Sequence, residues 1–182
     1  MPKNTTPALQ KKTEGNYELY LMRHGIAAAR GTAGFADDSK RPLTPEGKAK
    51  LLKVVKGMDR VGFAVDWIVA SPLVRALETA EVVAKSMASN PPVEVCDALR
   101  PGGSAEGLMA FLAKRPNRRK VLVVGHEPGL SELAARLIGS GEPGSLAFKK
   151  GGCCLISFDR FPPEGPGQLE WWLTPRLLRS LK

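Results

Sequence analysis

At 182 residues, 43% of them hydrophobic, the chain has the size of one domain with material for a single core, so neither disulfides nor a structural metal is needed to hold it together. Lys and Arg number 27 against 18 Asp and Glu, and the formal charge of +9 favours acidic or phosphorylated partners without fixing a fold. Three cysteines, including the adjacent Cys153 and Cys154, read as reduced thiols of a cytoplasmic protein, and the lack of an apolar run near the roughly 20 residues of a membrane span argues against insertion.

The first sixteen residues, Met1 to Asn16, carry few large apolar side chains and no apolar signal core, so a flexible tail is expected there and one domain over 17–182. Tyr17 to Met22, Val65 to Ala70 and Val121 to Val124 are short apolar segments that each end at a loop signal, the pattern of strands. Between them lie helical patterns. Thr44 caps a helix with Pro45 at its first position and Leu51, Leu52, Val55 and Met58 on one side, ending near Gly62. A second helix follows Ser71-Pro72 and stops before Asn90-Pro91-Pro92; a third is expected over Ser104 to Lys114 and a fourth over Gly129 to Ile138. Cys153 to Phe158 and Gln168 to Leu173 read as two strands joined by the turn-rich stretch 162–167. Strands alternating with amphipathic helices require crossover connections, which predicts an α/β fold with a mainly parallel sheet, helices on both faces and antiparallel pairing at one edge.

Open parallel sheets bind ligands beyond the carboxyl ends of their strands. The first predicted strand runs into Arg23-His24-Gly25, the second into Ser71-Pro72-Leu73-Val74-Arg75 and the third into Gly125-His126-Glu127-Pro128, so both histidines of the chain fall directly after strands with two arginines beside them. An arginine fork matches phosphate oxygens, and a neutral imidazole can attack phosphorus or move a proton. Singly, each residue is more often structural; jointly, at one sheet edge, they point to a shared anionic site.

Leu21-Met22-Arg23-His24-Gly25-Ile26-Ala27, Arg41-Pro42-Leu43-Thr44-Pro45-Glu46-Gly47, Ser71 to Ala80 and Val121 to Pro128, in that order, resemble the histidine phosphatase superfamily, and within it the compact SixA-type phosphohistidine phosphatases. The resemblance spans about Tyr17 to Pro175. It implies a phosphoglycerate mutase-like three-layer sandwich, no cofactor and no metal. It also implies that His24 is the nucleophile and forms a transient phosphohistidine, that Arg23, Arg75 and His126 surround the phosphoryl oxygens, and that water then releases inorganic phosphate.

Other members carry an acidic proton donor that this chain lacks around Ala98 to Gly103. Glu127, Asp37, Asp38 and Glu106 are the remaining candidates for a general acid, and the sequence does not choose among them. An alkoxide needs a positioned acid to leave, whereas moving a phosphoryl group between two imidazoles exchanges similar P–N bonds. The expected substrate is therefore a phosphohistidine-bearing protein such as a phosphotransfer domain. Only Ala27 to Lys40 separates the nucleophile turn from the first helix, which leaves no room for a capping subdomain and suits a protein substrate.

Four other readings compete. Cys154 and Arg160 have the Cys-x5-Arg spacing of cysteine-dependent phosphatases, but the residues between them read as a strand rather than a phosphate-wrapping loop. The basic run Lys114 to Lys120 lacks interleaved aromatics and reads as a solvated loop rather than a nucleic-acid surface. A broad small-molecule phosphomonoesterase, or a non-catalytic phosphoprotein-binding module on the same fold, would use the same four residues.

Overall fold

The computed structural model describes residues 17–181 apart from 142, 143, 145 and 164; the expected N-terminal tail lies outside the described residues. The chain runs β1 (Tyr17–Arg23), α1 (Pro45–Arg60), β2 (Trp67–Ala70), α2 (Val74–Ser86), β3 (Val93–Val95), α3 (Ala105–Leu112), β4 (Lys120–Gly125), α4 (Gly129–Leu137), β5 (Cys153–Phe158), β6 (Gln168–Leu173) and α5 (Pro175–Ser180). Its six strands form one sheet in the order β3-β2-β4-β1-β5-β6. The first four in that order are mutually parallel, and β5 pairs antiparallel with both β1 and β6. This is the α/β class and edge pairing that the sequence predicts.

The period-2 alternation of a strand divides the core. Tyr20, Met22, Ile68, Ala70, Leu122 and Val124 face α1, α2 and α5, whereas Leu19, Leu21, Trp67, Val69, Val121 and Val123 face α3 and α4. Each helix shows its sequence signals. The Thr44 side chain accepts from the Gly47 N–H above Pro45, and Ser104 caps α3 in the same way. Gly62 adopts a positive φ of 78° just beyond α1, the conformation that lets the chain turn into β2.

Two elements were not foreseen, the three-residue strand β3 and the short helix α5. β3 makes little apolar signal because neither face of it is fully buried. In α5, Leu178 is fully buried against α1, where Gly57 lets the two backbones meet: a Cβ there would stand 1.8 Å from the Leu178 carbonyl oxygen. Val65 and Asp66 precede β2 rather than belonging to it, and an Asp66 carboxylate oxygen instead accepts the N–H groups of Arg119 and Lys120. The basic run is likewise built into the fold. Arg118 donates to the Asp66 carbonyl, Arg115 pairs with Glu94, Lys120 with Glu18, and Arg119 lies over the Tyr17 ring. Among the described residues no helix is long and apolar enough to cross a membrane.

Candidate active site

The carboxyl ends of β1, β2 and β4, adjacent in the sheet, bring Arg23, His24, Arg75 and His126 together. His24 and His126 are each 6% exposed and Arg75 3%, and the two imidazole centroids lie 5.1 Å apart.

His24 Nδ1 sits 2.7 Å from the Gly25 carbonyl. A carbonyl only accepts, so that nitrogen carries the proton and Nε2 presents a lone pair. Arg75 Nε donates to Nε2 at 3.3 Å. Burial, opposed by the Gly25 hydrogen bond and reinforced by the charges of His126, Arg75 and Arg23, lowers the His24 pKa from 6.5 to about 3. The ring is therefore neutral, with its lone pair on Nε2, throughout the ordinary pH range. Thr79 fastens this turn to α2, its hydroxyl accepting from the Gly25 N–H and donating to the Arg75 carbonyl.

His126 is set up as a donor. Its Nε2 lies 2.9 Å from the Ser71 hydroxyl, which also accepts weakly from the Leu73 N–H at 3.4 Å. With Ser71 donating to Nε2, the ring proton belongs on Nδ1, and Nδ1 is buried without a partner. Burial and the Arg75 charge, against the opposing charge of Asp38, lower its pKa to about 4. Arg23 repeats the pattern: Nη1 donates to the Phe148 carbonyl at 2.7 Å while the buried Nε has no partner. Arg23 Nε, and His126 Nδ1 in that tautomer, are orphaned buried donors beside the His24 imidazole, which an oxyanion would satisfy.

Arg75 is held from behind. Its Nη1 and Nη2 reach the Asp38 carbonyl and carboxylate at 2.7 and 3.0 Å, and Arg41 and Arg30 converge on the other carboxylate oxygen at 2.8 and 3.3 Å. Partial burial pushes the Asp38 carboxyl upward, but the Arg41 hydrogen bond and the charges of Arg75, Arg41 and Arg30 outweigh it and keep the group below its ordinary value. The other acid candidates are engaged as well. Asp37 takes the N–H and hydroxyl of Ser39, Glu106 pairs with Arg136, and Glu127 accepts from Ser131 and the Phe148 N–H. Ser71, Thr79 and Phe148 are site-building residues that the sequence did not single out. Ser71 stands directly after β2, at the sheet edge where both histidines lie, and that position was the available signal.

A cavity of about 330 Å³ opens beside His126, with Leu99, Leu108, Leu130 and Leu133 among its lining and Glu106 and Arg136 at it as well. Cys154 is fully buried on β5, where burial, only partly opposed by a backbone hydrogen bond, pushes its thiol up to about 12. The Cys-x5-Arg segment is a strand and makes no phosphate loop. Among the described residues, no group of three or more His, Cys, Asp or Glu is placed to hold a metal ion.

Comparison with known proteins agrees with this geometry. An uncharacterized protein of Picosynechococcus sp. is 40% identical over 139 residues, covering 74% of this chain and 81% of that one. The phosphohistidine phosphatase SixA of Escherichia coli is 28% identical over 167 residues, covering 91% and 98%. The structure of the protein histidine phosphatase SixA complexed with tungstate superposes with a TM-score of 0.76 at 27% identity, over 88% of this chain and 99% of the other. The model of the histidine phosphatase superfamily (branch 1) matches residues 19–111, and the chain belongs to that superfamily, in its phosphoglycerate mutase-like branch, as a phosphatase of phosphorylated substrates.

Proposed function

We propose that this protein is a SixA-type phosphatase that removes the phosphoryl group from phosphohistidine on a partner protein, through a phosphohistidine formed on His24. The observation that supports the reading is that each candidate acid already holds a partner in the fold, Asp38 with Arg75, Asp37 with Ser39, Glu127 with Ser131 and Phe148, and Glu106 with Arg136, so none stands uncommitted as a proton donor. In the first step the His24 Nε2 lone pair attacks phosphorus and the substrate P–N bond breaks. A substrate imidazole protonated on its other nitrogen leaves neutral and needs no acid. The Arg23 Nε, the His126 Nδ1 proton and Arg75 balance the charge on the equatorial oxygens. The phosphorylated His24 ring is cationic, with its Nδ1 proton on the Gly25 carbonyl. Water then attacks phosphorus, the second P–N bond breaks, His24 returns neutral and inorganic phosphate leaves with the water's protons.

The cavity beside His126 favours a second reading, hydrolysis of small phosphomonoesters whose leaving group would occupy it. Phosphate release from a phosphohistidine carrier protein, a phosphoserine peptide and an aryl phosphate separates the two. The proposal predicts the carrier to have the highest kcat/KM and the phosphoserine peptide the lowest. Turnover of the aryl phosphate alone would give the phosphomonoesterase reading, and saturable binding without any release would make the protein a binding module.

A further inference from the structure

Glu127 directly follows His126 in sequence, where a proton donor is easily imagined, yet its carboxylate turns away from that task. One oxygen accepts from the Ser131 hydroxyl in the first turn of α4, and the other from the main-chain N–H of Phe148. The carbonyl of that same Phe148 accepts from Arg23 Nη1 at 2.7 Å. The Phe148 ring is 1% exposed and stacks on Trp172 with centroids 4.0 Å apart. Phe148 itself lies in the irregular connection before β5, outside any helix or strand ladder. Its main chain is fixed there by side chains and by the tight turn that follows, not by regular pairing.

We infer that Glu127 is a positioning residue for the reaction: it tethers the Phe148 main chain to the start of α4, and Phe148 in turn fixes the guanidinium of Arg23, whose buried Nε has no partner of its own. The inference rests on the assignment of Arg23 to the phosphoryl group made above. Without the tether, Nη1 loses its fixed acceptor and Arg23 regains rotamers that do not reach the oxygens, a loss realised mainly in the transition state. A carboxylate is not needed for this, only two correctly placed polar atoms. In Glu127→Gln the amide carbonyl can still accept from Phe148 while the amide nitrogen donates to the Ser131 oxygen.

The test is steady-state turnover of the phosphohistidine carrier and a series of aryl phosphates, with inhibition by orthovanadate, in Glu127→Gln, Glu127→Ala, Arg23→Ala and the Arg23→Ala/Glu127→Ala pair. We expect Glu127→Gln to stay within about threefold of wild type, and Glu127→Ala to lose about tenfold or more in kcat/KM, equally for good and poor leaving groups, with a parallel loss of orthovanadate affinity. In the Arg23→Ala background the second substitution should cost little, because the two residues act as a unit. Losses that simply multiply would sink the tether alone. A Glu127→Gln protein as impaired as Glu127→Ala, with the defect growing as the leaving group worsens, would make Glu127 the proton donor instead. Undiminished turnover by Arg23→Ala would overturn the assignment of Arg23, and this inference with it.

Discussion

Asp38 receives three guanidinium groups, and the contact that concerns the chemistry is the one to Arg75. By occupying Nη1 and Nη2 it leaves Nε directed at His24 Nε2. Asp38→Asn keeps the shape but removes the charge, so Arg75 is expected to sample other orientations and kcat/KM to fall about tenfold. Unchanged kinetics in this variant would mean that Arg75 holds its place without Asp38. The convergence of Arg23, His24, Arg75 and His126 was legible in the sequence because each lies at, or within five residues of, the carboxyl end of a strand with a plain apolar signature. The role of Asp38 was not, since a carboxylate in a loop looks the same whether it meets solvent or three arginines. Ser71 and Thr79 were hidden for a related reason, as a hydroxyl's partner is set by tertiary placement.

At the scale of elements, close backbone approach decides two joints. A Cβ at Gly47 would lie 2.1 Å from the Ile26 carbonyl oxygen, so the first turn of α1 is pressed against the loop that follows His24; Gly57 makes the equivalent joint between α1 and α5. Gly57→Ala should cost about 1–3 kcal/mol, as overpacking does, read as a lower denaturation midpoint. An unchanged midpoint would show that α5 is free to shift. The strands β1, β2 and β4 and helices α1 to α4 were readable within a few residues from periodicity and caps. α5 was missed although Thr174-Pro175 repeats the cap-plus-proline signal of Thr44-Pro45, and here too the threonine side chain accepts from the third helical N–H. β3 was missed because three half-buried residues show no period.

For the whole molecule, two histidines buried in their neutral form link stability to pH. Both have folded-state pKa values below the ordinary 6.5, at about 3 and about 4. Between those values and 6.5 the unfolded chain binds more protons than the folded one, so the full stability is present above pH 6.5 and declines as the pH falls. The Tm is therefore predicted to drop between pH 7 and pH 5, a window above the ordinary carboxylate range, and to drop less in His24→Asn. A flat profile over that window would contradict the neutral burial of these rings. The same neutrality leaves the His24 Nε2 lone pair available at pH values well above its pKa of about 3.

In the proposed reaction the phosphoryl group passes through His24, a covalent transfer. Its most direct measurement is rapid alkaline quenching of wild type and His24→Ala during turnover of a phosphohistidine carrier labelled on phosphorus, followed by mapping of the label on the chain. We expect transient, acid-labile label on His24 that decays into inorganic phosphate, and neither label nor release in His24→Ala. Label on another residue, or phosphate release by His24→Ala at the wild-type rate, would contradict it.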